Sequence, residues 1–193
     1  KGARENNTAV IYIDFYKVKR GYYCFEVELI TTTPNAFNLY NSLRIRRYTR
    51  TPDLRDIIDT LCGEKVIVEE WVPKAKYEDR NFDLRIVVIN GNAEHFVVRT
   101  SQSPMTNLHL GNARGDNQVF LELINSKAPG SWEKILATCS RLAKDCFPDS
   151  WYMGIDVLIT PDFRDHYILE VNAFGDLIPR IYDSNNMDTY HAQ

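Results

Sequence analysis

Three groups of residues in this chain have the types and spacing that chemistry needs. In the run Tyr167-Ile168-Leu169-Glu170-Val171-Asn172, strand alternation puts Glu170 and Asn172 on one face and Leu169 and Val171 on the other, so one face packs while the other presents oxygens. Asp156, on the preceding strand, adds a second carboxylate. Asp156, Glu170 and Asn172 are therefore candidate ligands for Mg²⁺, a hard cation that takes carboxylates and lets substrate phosphates complete its shell. The second group is Asp83-Leu84-Arg85, followed by Arg99, Asn107 and Arg114. Guanidinium forks match phosphate or carboxylate oxygens in pairs, and several of them beside a metal cluster suit a polyphosphate undergoing transfer. The third is Glu69-Glu70-Trp71-Val72, where a strand end offers backbone groups to a purine edge while Trp71 or Val72 packs its face. Each group also has a plain structural reading: a solvated strand face, cross-strand salt bridging, and a core strand leaving its sheet.

For these residues to meet, the chain must supply strands in fixed register. Residues 8–13 and 21–30 are rich in β-branched and aromatic side chains around a turn-like stretch, which predicts an N-terminal hairpin. Thr51-Pro52-Asp53 followed by Leu54, Ile57, Ile58 and Leu61, with Gly63 as the stop, predicts a helix over 52–62. Val66-Ile67-Val68 reads as a strand that delivers Glu69 to Val72 before Pro73 breaks it, and the chain is expected to change lobe there. Runs 84–89 and 94–100 flank Asn90-Gly91-Asn92, a hairpin signal. A three-residue loop pairs 85 with 97 and projects Arg85 and Arg99 from one face, whereas a two-residue loop separates them; the three-residue form is expected. Residues 131–146 carry one apolar stripe (Trp132, Ile135, Leu136, Cys139, Leu142, Ala143, Cys146), with Ser131 as the expected cap and Pro148 beyond the end. Runs 154–160 and 166–172 form a further expected hairpin across a turn-prone 161–165. Residues 101–117 read as a long polar loop of the kind that carries function, with His109 in it as a structural or surface group.

A chain of 193 residues makes one large domain or two small lobes. Its net charge of −3 provides no global basic field for a nucleic-acid backbone or an anionic membrane, so neither is expected as a partner. No apolar run reaches the roughly 18 to 20 residues of a membrane span, and the start lacks a signal-peptide layout, which makes the cytoplasm the default compartment. Cys24, Cys62, Cys139 and Cys146 form no C-x-x-C pair and read as reduced core thiols. Hydrolase elbows (G-x-S-x-G), zincin helices (H-E-x-x-H) and P-loops are all missing. The expected class is α+β with antiparallel pairs dominant.

Taken in order, Glu69-Glu70-Trp71-Val72, Asp83-Leu84-Arg85, Val97-Val98-Arg99, Thr106 to Asn112, Gly154 to Leu158 and Leu169 to Asp176 resemble the C-terminal two thirds of an ATP-grasp catalytic domain. The resemblance covers about residues 64 to 180. It is nearest to the glutathione-synthetase-like and ribosomal-protein-modifying ligases. It implies an ATP-grasp fold of two lobes, a small one over 1–72 and a larger one over 73–193 built on a mainly antiparallel sheet, with nucleotide between them. It further implies ATP and Mg²⁺ as cofactors. Glu69 to Val72 would be the hinge that reads adenine, Asp156, Glu170 and Asn172 would hold one or two Mg²⁺ ions, and Arg85 would touch phosphates or the acyl phosphate. Asn107, Arg99 and Arg114 would face the substrate and the γ-phosphoryl group. The implied reaction joins a small-molecule or peptide carboxylate to an amine through an acyl phosphate, releasing ADP and phosphate. The family's N-terminal substrate domain and Gly-rich phosphate flap have no counterpart before the hinge. Lys1 and Lys17, with Lys19, are the only lysines in residues 1–50 to replace the family's nucleotide-contacting pair, and Lys1 reads as the stump of a lysine-bearing strand from a longer parent. Two rivals share these residues: a kinase that phosphorylates a hydroxyl, and a noncatalytic nucleotide-binding module. Residues 176–193 carry no expected role.

Overall fold

The computed structural model describes residues 10–14, 22–26, 37–41, 44–48, 51–63, 67–69, 72–108, 111–172, 180–183 and 185–192. The chain divides into two compact units, Lys1–Val72 and Pro73–Gln193. In the first, β1 (Val10–Asp14), β2 (Tyr22–Glu26), β3 (Phe37–Asn41), β4 (Arg44–Tyr48) and β5 (Ile67–Glu69) form one sheet in the order β4-β3-β2-β1-β5, and α1 spans Thr51–Cys62. Every neighbouring pair is antiparallel, and β1 with β2 is the hairpin that the β-branched runs predict. Strands β3 and β4 have no such signature. Asn38, Asn41, Arg44, Arg46 and Arg47 interrupt the apolar pattern, and pairing between the strands supplies what propensity does not.

The second unit contains β6 (Lys76–Tyr77), β7 (Arg80–Ile89), β8 (Asn92–Ser101), β9 (Ala113–Arg114), α2 (Asn117–Lys127), α3 (Ser131–Cys146), β10 (Tyr152–Ile159) and β11 (His166–Asn172). Its sheet runs β11-β10-β7-β8-β9, with β6 also paired to β7, and all pairs are antiparallel. The architecture is thus α+β. One sheet face is apolar: Phe82, Leu84, Ile86, Val88, Val98, Met153, Ile155, Val157 and Ile159 pack with Phe120 and Ile124 of α2 and with Trp132, Ile135, Cys139 and Ala143 of α3. Each valine, leucine, isoleucine, phenylalanine or methionine among them contributes about 1.5 to 3 kcal/mol when fully buried. Phe120 meets the rings of Phe82 and Tyr77 edge-on at 4.8 and 5.1 Å, and so fastens α2 to the sheet.

Two single-residue irregularities decide what the opposite face carries. The β7–β8 turn has only two residues, Asn90 and Gly91, at φ 49° and 74°, and Ile89 pairs with Asn92. That is the shorter loop, not the expected three-residue one. Arg85 nevertheless pairs with Val97, because the register shifts between Val88↔Ala93 and Val87↔His95 and leaves Glu94 as an extra residue. A strict alternation from buried Ala93 would send Arg99 into the apolar core. The bulge turns it to the other face, beside Arg85. The second shift lies between Asp156↔Glu170 and Val157↔Ile168, where Leu169 is the extra residue and stands 39% exposed. Leu169 therefore does not share the packing face with Val171, as alternation alone predicts; Ile168 and Val171 pack on the core instead.

Other local departures have equally local causes. Gly130, at φ 80°, takes the N-cap position of α3, and the Ser131 hydroxyl donates to the Phe163 carbonyl (3.2 Å) instead of capping. The segment 101–117 is not one loop: β9 pairs within it, and Asp116 at its end caps α2 by accepting from the amides of Gln118 and Val119. Cys139 is a buried thiol as expected, whereas Cys146, on the last turn of α3, is exposed. Among the described residues, no helix is long and apolar enough to cross a membrane.

Candidate active site

On the polar face of the second sheet, three adjacent strands set Arg85, Asp156 and Glu170 in one row: Arg85 is the register partner of Asp156, and Asp156 of Glu170. Two residues along in one direction, Asp83 of β7 faces Arg99 of β8, and two along in the other, Gly154 of β10 faces Asn172 of β11. These backbone facts force the side chains together. Arg85 reaches Asp156 through both Nε and NH2, the latter at 3.0 Å to Oδ2, and Arg99 adds NH1 at 3.1 Å to the same Oδ2. Arg99 Nε also donates to Asp83 Oδ1 at 2.8 Å. Gly154 leaves room for the Arg85 stem, since a Cβ there would lie 3.0 Å from its Cδ and the stem would have to give by a few tenths of an ångström.

The network extends to residues that motif reading missed. Lys74, 8% exposed, donates from Nζ to Asp83 Oδ2 and to the Thr106 hydroxyl, both at 2.8 Å, and Thr106 in turn donates to Asp83 Oδ2. The available signal for Lys74 was its place directly after Pro73, where the apolar run ends; nothing in its own neighbourhood marks it as buried. Burial pushes the Asp83 carboxyl up, but Lys74 and Arg99 more than offset it and hold it at about 2. For Arg99, burial opposes the charge, while Asp83 and Asp156 raise its pKa above the ordinary arginine value. Glu170 goes the other way: burial and then the neighbouring Asp156 raise it, against Arg85, Arg99 and a hydrogen bond from Asn172.

Asn107 is half-buried on the segment just after Thr106, and its carbonyl accepts from Asn112 Nδ2 at 3.1 Å. Arg114 is exposed on β9 and is the register partner of Arg99. The structure thus brings Arg85, Arg99, Asp156 and Glu170 into direct neighbourhood, with Asn172, Asn107 and Arg114 around them. Glu69 ends β5 and Val72 is half-buried in the first unit, while Lys1, Lys17, Glu70 and Trp71 lie outside the described residues.

Asp156 and Glu170 are two carboxylates side by side whose repulsion the arginines only partly relieve, and the Asn172 amide lies beside them. That donor set fits Mg²⁺, which needs one or two carboxylates and takes the rest of its shell from water and phosphate. Guanidinium groups already use three of the roughly four lone-pair positions of Asp156. Among the described residues, no group of three or more His, Cys, Asp and Glu could hold a metal ion.

On one face of this antiparallel sheet, three cations, Lys74, Arg85 and Arg99, are thus set among three carboxylates, Asp83, Asp156 and Glu170. No family model matches the chain. Over 131 residues, it is 28% identical to a coenzyme gamma-F420-2:alpha-L-glutamate ligase of Methanococcus maripaludis. The match covers 68% of this chain and 40% of that protein, so the chain spans well under half the length of the curated relative.

Proposed function

We propose that this chain is part of an ATP-dependent carboxylate–amine ligase of the ATP-grasp type. The observation that carries the reading is the convergence of Arg85, Arg99, Asp156 and Glu170 on one sheet face. The likeness to a protein named as a glutamate ligase supports it and suggests an acidic amino acid or peptide among the substrates. In the proposed reaction, a substrate carboxylate oxygen attacks the γ-phosphorus of ATP, the bond to the β–γ bridging oxygen breaks, and ADP leaves. An amine then attacks the acyl carbon, phosphate departs, and the amine loses a proton. Bound Mg²⁺ supplies charge neutralisation on the polyphosphate. Asp156, Glu170 and Asn172 would hold it, and Arg85 and Arg99 would orient and neutralise the phosphoryl oxygens, with Asn107 and Arg114 toward the substrate. Little acid–base help is required of the protein. Adenine recognition by Glu69, Glu70, Trp71 and Val72, and nucleotide contacts by Lys1 and Lys17, belong to the same proposal and rest on the resemblance.

The test is to mix the protein with MgATP, L-glutamate or glutamyl peptides, and an amine. ADP and phosphate are the expected products, and hydroxylamine should trap an acyl hydroxamate. AMP and pyrophosphate would refute the reading. ADP with a stable phosphate monoester would favour the hydroxyl kinase, and MgATP binding without turnover the noncatalytic module.

A further inference from the structure

Residues 102–108 leave β8 and carry Asn107, and the structure ties them down twice. Thr106 is 1% exposed, and its hydroxyl accepts from Lys74 Nζ and donates to Asp83 Oδ2, while Lys74 donates to that same oxygen. The three groups close a ring in which every polar atom is used. On either side of Thr106, the carbonyls of Met105 and Asn107 both accept from Asn112 Nδ2, at 2.7 and 3.1 Å. The other oxygen of Asp83 holds Arg99, and Arg99 holds Asp156. An unbroken chain therefore runs from the loop to a carboxylate of the candidate site.

We propose that Lys74, Asp83 and Thr106 form a buried latch that sets Asn107 in place relative to Arg99 and Asp156, which makes Thr106 and Lys74 positioning residues for phosphoryl transfer. The proposal rests on the ligase reading for its functional half. Its physical basis is the cost of burying a hydroxyl and an ammonium where an apolar pair would pack as well. Such groups hold geometry only if every partner is present. Valine matches threonine in shape, but leaves a Lys74 proton and an Asp83 lone pair unmade. Asp83 shares one carboxylate between loop and arginine, so a loop that shifts moves Arg99 with it.

The experiment compares Thr106→Val with Thr106→Ser in the full chain by amide hydrogen exchange and by kinetics of ADP release from MgATP with L-glutamate. Thr106→Val should speed exchange of the amides of Ser103 and of residues 105–108 by about tenfold. It should lower kcat by about tenfold to a hundredfold, with the nucleotide KM changed less than about twofold. Thr106→Ser should restore both. Unchanged exchange in Thr106→Val, or failure of serine to rescue, overturns the latch. Should Thr106→Val fail to fold, Asn112→Ala carries the test, since it cuts the second tie without touching the buried ions; the same faster exchange and lower kcat are expected, and their absence overturns the proposal. A wild-type chain that forms no ADP overturns the ligase reading and the positioning role together. Exchange data then separate that failure from failure of the latch itself.

Discussion

Replacing Asp83 with asparagine keeps the volume of the side chain and one accepting oxygen, and removes the charge that two buried cations share. Lys74 and Arg99 have side chains only 7% and 5% exposed, so neither can turn to water for compensation. Arg99 keeps Asp156 as a partner. Lys74 keeps only the Thr106 hydroxyl among its described partners. Removing one member of a buried ion pair costs about 3 to 5 kcal/mol, because the other is left uncompensated. With an m-value of about 2 kcal/mol/M, the urea midpoint of the second unit should fall by about 1.5 to 2.5 M. Circular dichroism and tryptophan fluorescence, read separately, would show whether the loss is confined to one transition. A second variant isolates the cause. If the stranded ammonium is responsible, adding Lys74→Met to Asp83→Asn should recover about 1 to 3 kcal/mol, a coupling expected of residues in contact. A loss below about 1 kcal/mol in the single variant, or a further loss in the double, would refute this account of the network.

Acid provides another view of the same residue. Asp83 titrates at about 2 in the folded chain against an ordinary 3.8, so its charged form stabilises the fold by about 2 kcal/mol above pH 4, and that contribution drains away as pH falls toward 2. Acid unfolding curves should show this segment in wild type and not in Asp83→Asn. Glu170 carries a raised pKa, so its charge at neutral pH works against the folded state; Glu170→Gln should leave Tm unchanged or higher while weakening Mn²⁺ binding by about tenfold or more. A fall in Tm would mark Glu170 as structural. Leu169→Ala, at the bulge, should cost less than about 1 kcal/mol, whereas Ile155→Ala in the core should cost about 2 to 5, both measured by urea unfolding.

What could be read from the amino acids and what could not divide along physical lines. Periodicity and turn chemistry are local, and they located α1, α3 and both hairpins of the second sheet, while the alternation they imply around Glu170 breaks at Leu169. The row Arg85–Asp156–Glu170 follows from them once register is known. Register itself is not local. It depended on Glu94 and Leu169, which carry no mark of being supernumerary, and the expected three-residue turn reached the observed Arg85↔Val97 pairing by a different route. Lys74 was passed over, and Thr106 was quoted in a motif without a role, because their burial comes from partners nine and more than twenty positions away along the chain. The helix α2, which begins at Asn117 where the polar segment ends, was not anticipated, although Asp116 before Val119, Phe120, Leu123 and Ile124 is a start signal.

The extra residues Glu94 and Leu169 give the sheet a parity, and parity restricts how this lineage of chains can lengthen or shorten. Losing one residue from the stretch between the β7–β8 turn and His95 would leave the turn intact yet exchange inside for outside along the rest of β8, sending a guanidinium into the apolar core. Gains and losses in these two hairpins are therefore tolerable in even numbers on one strand, or matched across partners. Drift in loop length is free almost everywhere else on such a surface; beside this row of charges it is quantised.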